Sequence, residues 1–276
     1  MKLLTQRDGR IIEEILADVA RAEIMPRFDG RMVNTTRDKT SAFDVVTEAD
    51  EAAEAEISRR LLAAFPEAAI IGEEAVSRDP SLLEKIAGAP LAFIIDPIDG
   101  TKNYSTGVPA FGVMVSATMN GDVVLGAIHD PVSRTTSMAL RGEGAWLRDA
   151  NGGTRALQVA APVPLGETQG VVGMNFLPEP LRSTVAKNLS RLGVTCWLRC
   201  AAHEYRIAAS GQCHILLYNK LMPWDHAAGW LIHQEAGGYS AHFDGTPYKP
   251  SHLTGGLLCA PDKASWHEVH EALFTQ

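Results

Sequence analysis

Residues 91–104, Leu-Ala-Phe-Ile-Ile-Asp-Pro-Ile-Asp-Gly-Thr-Lys-Asn-Tyr, constrain the fold more than any other part of the 276-residue chain. The apolar run from Leu91 to Ile95, behind Pro90, is too short for a core helix and predicts a strand buried on both faces. Pro97 fixes φ and lacks an N–H, so the strand is expected to end there in a stiff turn. Gly100 and Thr101 then open a helix, whose unpaired N–H groups and positive dipole end suit an anion. Asp96 and Asp99 would repel that anion. The pattern balances if cations stand between them, and oxygen ligands favour magnesium or manganese. A plainer reading stays open on these residues alone, because Asp is a favoured helix cap.

The length suits two compact lobes or one large sandwich, and 46% hydrophobic with 21% charged residues is an ordinary globular composition. A net charge of -8 argues against nucleic acid as the main partner. An acidic protein that handles an anion must neutralise its site locally, which again points to bound cations. Cys196, Cys200, Cys213 and Cys259 lack zinc spacing and are expected to be buried core thiols. The first ten residues carry no apolar run of signal-peptide length, and nowhere do roughly eighteen apolar residues follow one another. No membrane partner and a cytoplasmic location are expected.

Ile11, Ile12, Ile15, Leu16, Val19 and Ile24 recur at helical spacing up to Pro26. A polar loop or hairpin with Lys39, Thr40, Ser41 and Asp44 is expected next. Thr47-Glu48-Ala49-Asp50 has the form of a capping box, opening a helix that buries Ile57, Leu61 and Phe65. Residues 68–71 read as a short strand that runs into Gly72-Glu73-Glu74, so acids again stand at a strand end. Residues 111–118 and 123–129 read as strands joined by the Asn120-Gly121 turn, with another strand at 135–140. Gly142 to Gly153 close this antiparallel part, and the prolines of 160–167 mark a lobe boundary, giving lobes 1–158 and 159–276. The second lobe alternates strand 171–176, helix 180–192 with Gly193 as its C-cap, strand 194–198, helix 201–210 and strand 214–218. The helix of residues 224–236 begins near Asp225, and Ala227, Ala228 and Gly229 in its first turns admit close packing.

Gly72-Glu73-Glu74, Asp96-Pro97-Ile98-Asp99-Gly100-Thr101 and Trp224-Asp225-x-Ala227-Ala228-Gly229, with Glu235-Ala236-Gly237-Gly238, resemble the inositol monophosphatase family in order and spacing over nearly the whole chain. The resemblance implies an α/β (α+β) fold, a layered αβαβα sandwich with an antiparallel sheet in the first lobe and a mostly parallel one in the second. It implies magnesium-dependent, lithium-sensitive hydrolysis of a small-molecule phosphate monoester by two- or three-metal-assisted in-line attack of water, with manganese as a possible substitute, and a homodimer. Carried over by position, Glu73, Asp96 and the Ile98 carbonyl would hold one metal, and Asp96, Asp99 and Asp225 another. Glu74 would act through a third, near Lys39. Thr101 with Asp50 would orient the water and Glu73 would help deprotonate it, while Gly100 and Thr101 N–H groups hold the phosphate.

The departures lie where the family reads the leaving alcohol. A Gly-Ser/Thr-Ala-Ala run common in the family is Arg199-Cys200-Ala201-Ala202 here, and Tyr218 stands where inositol-binding members have a glutamate. Cys200, Ala201 and Tyr218, beside Asp99 and Asp225, are therefore the expected substrate-side residues. Arg199, His203 and His214 lie on the same segments. Losing a carboxylate and gaining basic groups favours an aromatic or anionic leaving group over inositol. Alternatives within the superfamily are phosphatases of sugar bisphosphates, nucleotide 3'-phosphates or histidinol phosphate. A non-enzymatic RNA polymerase-associated antitermination factor is the alternative outside catalysis.

Overall fold

The computed structural model describes residues 4–28, 37–41 and 44–275. In chain order it places α1 (Gln6–Val19), β1 (Arg37–Ser41), β2 (Asp44–Val46), α2 (Glu48–Ala64), β3 (Ala69–Gly72), α3 (Glu73–Arg78), α4 (Lys85–Gly88), β4 (Ala92–Asp99) and α5 (Thr101–Ser105). Strands β5 (Gly112–Met119), β6 (Asp122–Asp130), β7 (Thr135–Leu140), β8 (Gly144–Arg148) and β9 (Thr154–Ala156) follow. The remainder is β10 (Gln169–Val172), α6 (Leu181–Asn188), β11 (Val194–Cys196), α7 (Ala201–Ala209), β12 (Ile215–Tyr218), α8 (Pro223–Glu235), β13 (Tyr239–Ala241), β14 (Leu257–Ala260) and α9 (Lys263–Phe274).

Alternation along the strands builds five layers. In β4 and β5 the residues Phe93, Ile95, Val113 and Val115 point one way and pack under α1 and α2 with Ile12, Leu16, Ile57 and Leu61. Ile94 and Met114 point the other way and meet Tyr205, Ala208, Ala228 and Leu231 of α7 and α8. The same helices are covered on their far side by Val171, Leu216 and Cys259 of the second sheet. That sheet's outer residues, Val172, Leu217 and Leu258, pack with Val185 of α6 and Trp266 and Leu273 of α9. Helix, sheet, helix, sheet, helix is the expected sandwich, and β4 is buried along its whole length.

The first sheet runs β3-β4-β5-β6-β7-β8-β9, antiparallel except for the parallel β3–β4 pair. The second runs β11-β10-β12-β14-β13. Its β10 is parallel to β11 and β12, and β14 is the reversed strand between β12 and β13. Close approach is bought by small side chains. A Cβ on Gly126 of β6 would stand 2.5 Å from the Ala228 carbonyl oxygen, and one on Gly112 would stand 2.6 Å from the Ala202 methyl. Longer side chains at these points would push α7 and α8, and with them Asp225, off the first sheet.

Three local expectations are corrected. β4 continues through Pro97 to Asp99, with an irregular register between Asp96 and Asp99 that lets the strand pass a residue without an N–H. Helix α6 ends at Asn188 and gives way to a tighter turn, Leu189–Arg191, so Gly193 does not cap it. Strand β11 stops at Cys196, which is exposed at the sheet edge and is no core thiol, while Cys200, Cys213 and Cys259 are buried. The polar segment after α1 does form a two-stranded hairpin of β1 and β2, but the Lys39 side chain lies outside the described residues.

Candidate active site

The site forms where the C-terminal end of β4 meets the starts of α5, α7 and α8. Carboxylate oxygens of Asp96, Asp99 and Asp225 lie within 4.8 Å of one another. Asp96 and Asp99 are buried and Asp225 is half-buried. Ionised acids at such spacing repel by about 3 kcal/mol per pair at an effective dielectric of ~20. Burial raises Asp96 far above the usual carboxylate range, and the charges of Glu73, Asp99 and Asp225 raise it further. Burial likewise raises Asp225, with Asp99 and Glu73 adding repulsion and Lys220 offsetting part of it. Asp99 is pushed to about 6 by burial, less than its neighbours because Cys200 and the α7 backbone donate to it.

Those donors are specific. Asp99 Oδ2 accepts from Cys200 Sγ–H at 2.9 Å and from Ala202 N–H at 2.6 Å, so Asp99 caps α7 from another strand. Cys200 and Ala201 are thereby at the acidic cluster, and the Cys200 thiol is held protonated, its pKa pushed far up by burial and by Asp99. Asp96 differs. Its Oδ1 is buried and has no hydrogen-bond partner among the described residues. An orphaned carboxylate oxygen among like charges fits a hard cation ligand, and an all-oxygen set drawn from β4 and α8 suits a hard cation better than a softer metal.

Thr101 and Asp50 meet as expected. Thr101 Oγ1 is 3.1 Å from Asp50 Oδ1 and 2.8 Å from the Ile98 carbonyl oxygen. Asp50 Oδ2 is held by Thr47, whose N–H and hydroxyl donate at 2.8 and 2.5 Å in the capping box that opens α2. Burial pushes Asp50 up to about 7 against those two bonds, with Glu73 and Glu74 adding like charge. Gly100 takes a left-handed φ of 83°, which turns the chain from β4 into α5. Glu73 and Glu74 occupy the first turn of α3, where both add like charge to Asp50 and Glu73 also to Asp96.

Tyr218 is turned into the core: it is 8% exposed, its ring 5.5 Å from Tyr205 and 4.6 Å from His226, so most of it is packing between the sheets. Two of the basic groups are otherwise engaged. His203 Nε2 contacts the Phe111 carbonyl at 3.1 Å, and His214 Nδ1 accepts from Gln169 N–H at 3.1 Å. Arg199 holds a left-handed φ of 56° in the turn before α7.

Two acids escaped the sequence reading. Glu54 is buried on α2, and its carboxylate accepts from the N–H groups of Glu74 and Ala75 at 2.7 and 2.8 Å. Glu204 is buried on α7, accepts from Leu198 N–H at 3.0 Å, and is pushed to about 7 by burial. For Glu54 a signal existed: with Asp50, Ile57 and Leu61 it falls on one stripe at helical spacing.

The profile of the inositol monophosphatase family matches residues 7–276. The chain belongs to that family. It is 32% identical over 218 residues to the Thermotoga maritima "fructose-1,6-bisphosphatase/inositol-1-monophosphatase", covering 78% of each chain. It is 35% identical over 216 residues to the Pseudomonas aeruginosa "Nus factor SuhB", covering 74% of each. The solved Thermotoga maritima IMPase superposes with a TM-score of 0.79 at 27% identity, covering 98% of this chain and 97% of that one. Membership makes it a protein of a phosphatase family, and the acidic cluster lies where a metal fits. No helix among the described residues is long and apolar enough to cross a membrane.

Proposed function

We propose that this protein is a magnesium-dependent phosphomonoesterase acting on a small-molecule phosphate ester, with manganese as a substitute and lithium as an inhibitor. The observation that supports it most is the orphaned Asp96 Oδ1 inside the Asp96, Asp99 and Asp225 cluster, next to the Thr101–Asp50 pair. Glu73, Asp96 and the Ile98 carbonyl would hold one cation, Asp96, Asp99 and Asp225 a second, and Glu74 a third. Bound there, the cations would neutralise phosphate charge and acidify the attacking water.

The chain's own residues do the positioning. Thr101 has one hydroxyl proton and two acceptors near it, so donating that hydrogen bond to Asp50 turns the oxygen's lone pairs toward the water it would orient. Gly100 and Thr101 N–H groups would receive the phosphate, with Asp99, Cys200, Ala201, Tyr218 and Asp225 toward the leaving group. Tyr218 offers a largely buried ring where inositol would need acceptors, which favours an aromatic or otherwise flat leaving group. The engagement of His203 and His214 removes most of the support for an anionic one.

The test is phosphate release from a panel of phosphomonoesters with magnesium, with and without lithium. Magnesium-dependent hydrolysis of at least one ester, with inositol 1-phosphate not the best, supports the reading. A second reading is favoured by the relative named Nus factor: a non-enzymatic transcription partner. Buried, mutually repelling carboxylates burden a protein that only binds others, and a panel with no turnover would move the assignment there. We also propose a homodimer, which light scattering at micromolar concentration checks.

A further inference from the structure

The start of α3, which carries Glu73 and Glu74, has no cap of its own. Its N-cap residue is Gly72, which has no side chain to offer. The missing acceptor comes from α2, twenty residues earlier in the chain. Glu54, 4% exposed, places one carboxylate oxygen on Glu74 N–H at 2.7 Å and the other on Ala75 N–H at 2.8 Å. Both oxygens of one buried acid are thus spent on the first turn of a helix of only six residues. The fit leaves no slack, because a Cβ on Gly72 would collide with the Glu54 carboxyl group. The φ of Gly72 is -97°, which any residue adopts. Glycine is therefore required there by Glu54 and not by the backbone.

The same face of α2 carries Asp50 one turn earlier, and Asp50 reaches Thr101. One helix therefore fixes both the Thr101 side of the site and the segment bearing Glu73 and Glu74. We infer that Glu54 is a positioning residue that clamps the start of α3 and so sets where Glu73 and Glu74 present their carboxylates to the cations. This rests on the proposed metal assignment of Glu73 and Glu74. A short helix with two freed N–H groups at its start would fray, and donors on a fraying turn bind a cation more weakly. Glutamine is a poor replacement. Its amide offers one acceptor and one donor, and the donor would face a backbone N–H.

The experiment measures Mn2+ binding directly, by electron paramagnetic resonance of free manganese, on the purified full chain. Glu54→Gln and Gly72→Ala should each weaken binding by about tenfold or more, the range found when a group supporting a metal ligand is removed. Because the clash in Gly72→Ala needs the Glu54 side chain, adding Gly72→Ala to Glu54→Ala should cause no further loss. Glu13→Gln removes a buried acid on another helix, α1, paired with Arg148 of β8 at 2.9 Å. It should cost stability and leave Mn2+ affinity unchanged. Manganese affinity that stays at the wild-type value in folded Glu54→Gln, while Asp225→Asn loses it, overturns the inference and leaves the metal site standing. Additive losses in the double variant overturn it too. Wild-type protein that holds no Mn2+ overturns the metal reading and the inference with it.

Discussion

Replacing Asp225 by asparagine should stabilise the cation-free protein while removing its function. The three carboxylates lie within 4.8 Å, which at an effective dielectric of ~20 is about 3 kcal/mol of repulsion for each ionised pair. Some of this is already relieved by shared protonation and by Lys220, so about 2 kcal/mol is the expected gain from Asp225→Asn at pH 7.5. For a chain of 276 residues that raises the melting temperature by roughly 3–4 °C. Scanning calorimetry in chelator, then with magnesium, separates the two effects. The wild type should gain stability on adding magnesium, and Asp225→Asn should gain almost none and release almost no phosphate. A variant that melts below the wild type in chelator, or keeps near-normal turnover at saturating magnesium, would refute the claim that these acids exist to hold cations.

Thr101→Ala should lower kcat more than it raises KM if Thr101 acts on the attacking water as proposed; a change in KM alone would make it a binding residue only. Arg206→Ala should destabilise by about 3–5 kcal/mol, since it strands the buried Asp130 that Arg206 contacts at 2.7 Å, and chemical denaturation measures this. The cation-free protein should also gain stability as pH falls from 8 to about 6.5. Burial holds Asp50, Glu54 and Glu204 at about 7, so their neutral forms favour the fold and that contribution is lost as pH rises through 7. Below 6.5 the gain should continue at a lower slope, because His129, His226 and His233, depressed to about 4 by burial, cost stability once the unfolded chain protonates, while Asp96, Asp99 and Asp225, also raised by burial, still add to it. A melting temperature that rises steadily from pH 6.5 to 8 would contradict this.

Why some of the site was legible and some was not follows from where each residue's partner lies. Asp96, Asp99, Gly100 and Thr101 act within one short segment, so a buried strand followed by Asp-Pro-Ile-Asp-Gly-Thr states their geometry locally. The capping box of Thr47 and Asp50 is local in the same way, whereas the contact of Asp50 with Thr101, 51 residues away, could be expected only from the family resemblance. Asp99 capping α7, and Glu54 capping α3, are relations between elements that only the layered packing brings together. The fold itself was readable because period-two strands and period-3.6 helices each state which face they bury. β4 passing through Pro97 was not, because local rules for proline describe the lost N–H but not the irregular pairing that removes the need for it. His203 and His214 show the same limit from the other side. Their residue types suggested ligand contacts, yet each is held by a backbone group from a neighbouring strand or turn. A buried acid on an apolar helical stripe is the exception that sequence can flag in advance. Asp50, Glu54, Ile57 and Leu61 share one face of α2, and burying two carboxyls among isoleucine and leucine is costly unless each meets donors. Both do, and the segments they reach, Thr101 and the start of α3, flank the acidic cluster, so the acids that look most out of place in the pattern are tied to the elements around it.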